Sequence, residues 1–341
     1  MPQPIHVSEL LQLQKEGINV VDVRTHSEFL QGHIPKAINI ELFSDVERAR
    51  VGTLYKKVGR EEAIKLGLEL VGPKLKQLVE TIVQHTINNR VVLHCWRGGM
   101  RSGSVAWLIE LMGIKVYVLK GGYKAFRSHV LSTFQIPLKL VVVGGKTGSA
   151  KTKVLKAIQE QGKQILDLEE LANHRGSAFG AQEGSNLTQE QFENDLFEAI
   201  KQLDATQQIF IEDESRVIGK KVIPETIWHC MRSAPLINLN VSNQARVNYL
   251  VEDYGKLPKE ILEANLHKIA KRLGGLSYHQ SLDALNKGDL VTVCKICLVY
   301  YDKAYLHGLS KREKESILTL DFDSIDIKNV TKMVIDYATQ L

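Results

Sequence analysis

Short runs of apolar, mostly β-branched residues alternate along this chain with longer stretches of helical spacing. Residues 18–23, Ile-Asn-Val-Val-Asp-Val, read as a buried strand ending in Asp22-Val23-Arg24. A short helix over residues 27–31, a turn at Gly32-His33-Ile34-Pro35 and a strand over 37–40 follow. Residues 42–89 keep a helical pattern, with breaks expected near Gly52, Gly59 and Gly72-Pro73. Residues 90–94, Arg-Val-Val-Leu-His, form an apolar strand that runs directly into Cys95. Beyond a loop to Ser102, the pattern predicts a helix over 105–112 and a strand over 115–119. Gly121-Gly122-Tyr123 then opens a helix reaching Leu131.

After a polar segment closed by Pro137, the alternation restarts. Residues 138–143 read as a strand, Gly144 to Thr152 as a loop, and the chain from Lys153 as a helix. Another strand, 208–211, ends in Glu212-Asp213-Glu214. The remainder, notably 258–272 and 317–341, mixes amphipathic helix with short strands. Strands alternating with helices predict parallel sheets covered on both faces. The expected fold is therefore α/β throughout, in two domains, 1–134 and 138–341, the second mainly helical towards its end.

At 341 residues the chain is about two domains long, taking roughly 150 residues for each. Hydrophobic residues at 44% and charged residues at 24% exclude the disordered class. The opening residues lack the basic and apolar runs of a signal peptide, and no apolar stretch is long enough to span a bilayer, so a cytoplasmic location is expected. Four cysteines are too few for a disulfide framework here, which leaves thiol chemistry. Residues 1–132 carry 18 Lys and Arg against 12 Asp and Glu, so the +5 net charge comes from the first half. Lys56, Lys57, Arg60 and the run from Arg97 to Arg127, six basic residues against Glu110, are candidate contacts for an anionic substrate or a nucleic-acid backbone. A solvated basic face is the competing interpretation of the charge taken alone.

A thiol at the end of a buried parallel strand sits where open α/β sheets bind ligands. In Cys95-Trp96-Arg97-Gly98-Gly99-Met100-Arg101-Ser102 the glycines let backbone N–H groups turn inward, and the next helix adds its positive end. Both effects favour a nucleophilic thiolate at Cys95, and Arg101 can clamp an anion beside it. In the second half, Gly145-Lys146-Thr147-Gly148-Ser149-Ala150-Lys151-Thr152 follows a strand as a phosphate-binding loop does. Ala150 stands where glycine normally precedes the lysine, and its Cβ resists the backbone such a loop takes. Phosphate or diphosphate binding is accordingly expected ahead of ATP hydrolysis, with Glu212 and Asp213 as acidic partners for a magnesium ion near Thr152. Cys294-Lys295-Ile296-Cys297 has half a zinc spacing, but without a second pair it reads as a buried structural pair, and no metal is assigned. Tyr300, Tyr301 and Tyr305 read as core aromatics sooner than as base-stacking groups.

Asp22-Val23-Arg24, Glu28-Phe29, the segment from Gly32 to Asn39 and the Cys95 loop together resemble a rhodanese domain. Arg101 comes one position later than in common sulfurtransferases, a longer loop similar to that of rhodanese-related cysteine phosphatases, which suits a phosphorus-bearing donor. Joined to a phosphate-loop domain, and with Gly52-Thr53-Leu54-Tyr55, the segment His174 to Gly180 (including Arg175), the segment Glu212 to Gly219, and Tyr300-Tyr301-Asp302, the whole chain resembles the bacterial tRNA 2-selenouridine synthase family. The resemblance implies a transferase acting on the wobble uridine, position 34, of tRNA. It implies geranylation of 2-thiouridine by geranyl diphosphate, then exchange of the geranylthio group for selenium from selenophosphate. On this reading tRNA and a selenophosphate-producing enzyme are the partners, no membrane is involved and no tightly bound cofactor is expected. Cys95 would be the catalytic thiol, the Gly145–Thr152 loop the diphosphate or tRNA phosphate site, and His174 and Arg175 supporting residues. Two rivals are a cysteine phosphatase fused to a phosphate-loop domain and a non-catalytic tRNA-binding module.

Overall fold

The computed structural model describes residues 1–174 and 187–340. They fall into two compact units, Met1–Thr133 with Thr188–Glu198, and Phe134–Leu187 with Ala199–Leu341. In the first unit, β1 (Gln3–Ile5), β2 (Val20–Asp22), β3 (Ile38–Asn39), β4 (Arg90–His94) and β5 (Lys115–Leu119) form one parallel sheet in the order β1-β5-β4-β2-β3. In the second, β6 (Leu140–Gly145), β7 (Gln164–Leu166), β8 (Ile209–Glu212), β11 (Leu236–Val241) and β12 (Ile317–Phe322) form a parallel sheet in the order β12-β11-β6-β8-β7. A small hairpin, β9 (Val217–Ile218) with β10 (Lys221–Val222), stands apart.

The two sheets share one logic. β4 and β6 are each the middle strand of five, and almost every residue in them is buried. Each hands the chain to a loop at its carboxyl end, in the crevice where neighbouring strands diverge and ligands bind in such sheets. The Cys95 loop follows β4 and the phosphate-type loop follows β6, so both anion-binding candidates are centred on a rigid core.

The helical stretch after Leu42 departs from expectation in one place. The helix Asp45–Lys57, capped by Ser44 and Glu47, runs unbroken through Gly52, because one glycine costs a helix interior only about 1 kcal/mol. The breaks come at Gly59, whose φ of +137° suits glycine, and at the 3₁₀ turn Gly72–Lys74 containing Pro73. In the second unit, the helices Lys259–Leu273, Gly275–Asn286 and Leu290–Leu309 pack round Leu262, Leu266, Ile269 and Cys297 as a subsidiary core. Among the described residues, no helix is long and apolar enough to cross a membrane.

Chain order assigns residues 188–198 to the second domain, yet they complete the first unit. Asn194 donates to His33 O at 2.9 Å and to Tyr123 Oη at 2.8 Å, and the buried Phe197 meets Phe126 edge-on at 5.7 Å. Arg127 is spent here as well, on Asn194 Oδ1 at 2.6 Å and on Glu193, which removes it from the candidate nucleic-acid contacts. Phe197→Ala is expected to lower the stability of this unit by about 3–5 kcal/mol in urea denaturation.

Candidate active site

The Cys95 loop owes its shape to two glycines with left-handed backbone. At Gly122, φ +59°, a Cβ would lie 2.3 Å from Cys95 O and 2.5 Å from Gly98 N; at Gly98, φ +65°, it would lie 2.3 Å from Leu119 O. With no side chain between them, Tyr123 N–H donates to Cys95 O at 2.9 Å and Lys124 N–H to Trp96 O at 3.0 Å. Those bonds draw the loop carbonyls away from the crevice and leave amides facing the sulfur.

Cys95 itself is only 3% exposed. The Ser102 hydroxyl donates to Sγ at 3.3 Å. Burial alone would push the thiol up; the Ser102 hydroxyl, the Ser102 and Arg97 amides and the charge of Arg101 together overcome it and hold the thiol below its ordinary value. The helix Met100–Leu111 starts at Gly99 without a side-chain cap, so the sulfur fills that role for the Ser102 amide. Arg101 does not point at an open anion site: its guanidinium grips Glu28 through two bonds, 2.7 and 3.2 Å, and Arg48 approaches the same carboxylate at 3.9 Å. Trp96 and Arg97 are exposed at the loop edge, and Met100 accepts from Arg60 through its thioether at 3.8 Å.

Beneath the loop, Asp22 and Arg24 form a fully buried pair, 2.6 Å at its shortest, with Arg24 also donating to Gly32 O at 2.8 Å and stacked 3.9 Å over the Tyr123 ring. Burial drives His94 below its ordinary value, so it stays neutral beside them. Sequence reasoning placed Asp22 and Arg24 at the strand end but gave them no partner.

In the second unit, the loop from Gly145 to Thr152 takes the phosphate-cradle form despite Ala150, which adopts φ +59° at a cost of about 1–2 kcal/mol. Lys151 Nζ curls back to Gly145 O at 2.8 Å. Arg246, 2% exposed, donates to Thr147 O at 3.1 Å and is held by Asp302 at 2.8 and 2.7 Å, which gives the Tyr300-Tyr301-Asp302 motif a place: it braces the loop through Arg246. Tyr305 donates to Asn238 at 2.8 Å as a packed aromatic.

The expected acidic pair separates. Glu212 lies against the loop, bonded by the Thr152 hydroxyl, whereas Asp213 faces the other way onto Arg312 at 2.8 Å, because neighbouring residues at a strand end point to opposite faces. Glu212 is joined by Glu169 and Glu214, with one carboxylate oxygen of each within 4.8 Å of the others. Burial, ahead of Glu169 and Asp167, pushes Glu212 up to about 7 against the pull of Lys151 and Thr152, and burial with Glu169 and Glu212 raises Glu214 too. An all-oxygen set beside Thr152 fits a magnesium ion, which would neutralise these carboxylates. Glu169 carried no sequence signal beyond its charge, and Glu214 was marked only as part of the strand end Glu212-Asp213-Glu214 and the Glu212–Gly219 segment, with no role of its own. His174 packs on Gly219, and Arg175 lies outside the described residues. Cys294 and Cys297 lie buried on one helix, where burial lifts the thiols to about 11 and about 12.

Comparison with known proteins divides the chain at one point in the sequence, with 188–198 on the side of the second domain. A rhodanese-like domain model matches residues 6–129, and the model of the tRNA 2-selenouridine synthase AAA domain matches 138–334. The chain is 36% identical to the tRNA 2-selenouridine synthase of Bdellovibrio bacteriovorus, over 90% of this chain and 93% of that one. It is 34% identical to that of Shewanella frigidimarina, over 95% and 98%. The chain belongs to the tRNA 2-selenouridine synthase family.

Within this member of the tRNA 2-selenouridine synthase family, the first unit also holds an apolar cavity of about 1060 Å³ against the Cys95 loop, from Gly99 to Arg101, and along the helices Asp45–Lys57 and Arg60–Val71. The segment Gly52-Thr53-Leu54-Tyr55 lines it. The sequence showed those helices without showing that they leave this space.

Two measurements check the electrostatics. Titrating the thiolate absorbance of Cys95 should give a value below that of an ordinary cysteine, and Ser102→Ala should move it upward. For Glu212 the folded value, about 7, lies above the unfolded one of about 4.5, so the chelator-treated protein should lose stability as pH rises from about 4.5 to 7, and Glu212→Gln should flatten that decline in thermal melts.

Proposed function

We propose that this chain modifies the wobble uridine of tRNA in two stages, S-geranylation of 2-thiouridine and replacement of the geranylthio group by selenium. The observation that carries the reading is a Cys95 thiol with a lowered pKa, ringed by inward amides, Ser102 and Arg101, with five residues between Cys95 and Arg101. That spacing makes a ring wide enough for a tetrahedral oxyanion, which selenophosphate is and a lone sulfur atom is not.

In the first stage the sulfur on C2 of the uridine attacks C1 of geranyl diphosphate. The C1–O bond breaks, diphosphate leaves with its electron pair, and the N3 proton is lost to solvent. In the second, the Cys95 thiolate attacks phosphorus in selenophosphate, and the P–Se bond breaks to release hydroselenide. Hydroselenide adds to C2 and geranylthiolate departs, taking a proton to leave as the thiol. Water then cleaves the S–P bond on Cys95, giving phosphate and the free thiol. The amides that hold the thiolate serve the phosphoryl oxygens as charge gathers on them.

The second unit supports the reading with a phosphate-type loop and an acidic cluster suited to a divalent cation, groups that bind diphosphate or the tRNA backbone. Cys95→Ser, incubated with 2-thiouridine tRNA, geranyl diphosphate and selenophosphate, should yield S-geranyl nucleoside at near wild-type levels and lose selenouridine by about a hundredfold or more. Nucleoside mass spectrometry reads both products. Wild-type selenation surviving in Cys95→Ser would remove the nucleophile from the scheme.

A further inference from the structure

The cavity beside the Cys95 loop has a defined chemistry. Its walls include Leu42, Val51, Ile64, Leu68, Val71 and Trp107, and most of its lining is apolar. Leu68 and Trp107 are more than half exposed, so the folded chain leaves apolar groups in water here, at about 25 cal/mol for each Å². Soluble proteins seldom leave such a patch without a ligand for it. The rim is the opposite. Arg48, Lys56 and Arg60 line the same space, as do Gly99 and Arg101, where the Cys95 loop passes into a helix N-terminus. An apolar channel with a cationic mouth complements a molecule with a hydrocarbon tail and a multiply charged anionic head.

We infer that this cavity holds the hydrocarbon chain of an allylic diphosphate, with the diphosphate at the Arg48, Lys56 and Arg60 cations that line it. The inference rests on the geranyl transfer proposed above and places its lipid in the rhodanese-like unit, away from the phosphate-type loop to which diphosphate chemistry would first be assigned. Among the described residues of the second unit, the apolar pocket that touches its loop, at Thr147, measures about 20 Å³, the space of one water. Lys56 and Arg60, candidates for tRNA contact by charge alone, become ligands for the diphosphate. The alkylation then takes place in the unit that carries Cys95, the thiol proposed above to meet the selenium donor.

Gly52 and Gly103 offer a test that leaves the fold alone. Both line the cavity, both lie on helices, and a Cβ at either meets nothing within 4 Å. Gly52→Phe and Gly103→Phe place a ring into the space from a position where the Cβ itself meets no neighbour, and give the helices a better former than glycine. In calorimetric titrations of the full chain, each variant should bind geranyl diphosphate at least tenfold more weakly than wild type. Inorganic diphosphate affinity should be unchanged and the melting temperature equal or higher. Variants that bind geranyl diphosphate like wild type would overturn the site, most directly if Lys151→Ala abolished binding instead. If wild type binds geranyl diphosphate in a manner these substitutions block, yet never alkylates 2-thiouridine tRNA, the lipid site stands and the transfer reading fails.

Discussion

The backbone of the Cys95 loop rests on the Gly121-Gly122 turn at a separation that admits no side chain. A Cβ on Gly122 would sit 2.3 Å from Cys95 O, inside any van der Waals contact. From that approach the rest follows. The carbonyls of Cys95 and Trp96 are taken up by the first amides of the helix Gly122–Thr133, so the remaining loop amides turn towards Sγ. The Ser102 amide finds its acceptor in the sulfur, and the thiolate becomes part of the hydrogen-bonding of a helix end. Nucleophilicity is thus a property of backbone packing, and it persists although the sulfur is almost wholly buried.

Charge is arranged round that loop so that only part of it reaches the thiol. Arg24 lies underneath but is neutralised by Asp22, and the buried pair is supported further by Gly32 O and the Tyr123 face, although one guanidinium nitrogen of Arg24 has no hydrogen-bond partner. The positive field at Cys95 comes instead from Arg101 and the amides. Arg101 is oriented by Glu28, whose carboxyl is held low by that bond despite the burial that opposes it. With the guanidinium turned onto Glu28, it acts on the thiol through its charge, and the hydrogen bonds offered at the sulfur come from the loop amides and the Ser102 hydroxyl.

Much of the site was legible because its residues sit at strand ends. A run such as Arg90–His94 has one reading, a buried strand, and whatever follows it falls in the crevice of the sheet. The same logic located Lys151 and Thr152 after β6. It failed between Glu212 and Asp213, because an apolar run buried on both faces does not say which neighbour turns towards the loop; register with β6 decides that. That residues 188–198 pack onto the first unit is not visible in the sequence, since nothing local in Asn194 or Phe197 names Tyr123 and Phe126 as partners. The cavity was hidden for a related reason: helical spacing along 45–71 shows which residues are apolar, but a void is a property of what two helices and Gly52 leave unfilled between them.

The two anion loops are not equivalent, and the difference lies in their acids. Around Cys95 the Glu28 carboxylate is already engaged by Arg101, with Arg48 near it, so the loop presents amides and cations to a ligand without further help. Around Lys151 three carboxylates converge, and burial holds at least Glu212 at the edge of ionisation. A phosphate entering there meets repulsion from every carboxylate that loses its proton, and Lys151 alone does not balance three of them. A divalent cation reverses the sign by binding the carboxylates and the phosphate oxygens together. On the proposed reading, the first loop would bind anions on its own, whereas the second would bind them strongly only together with a cation.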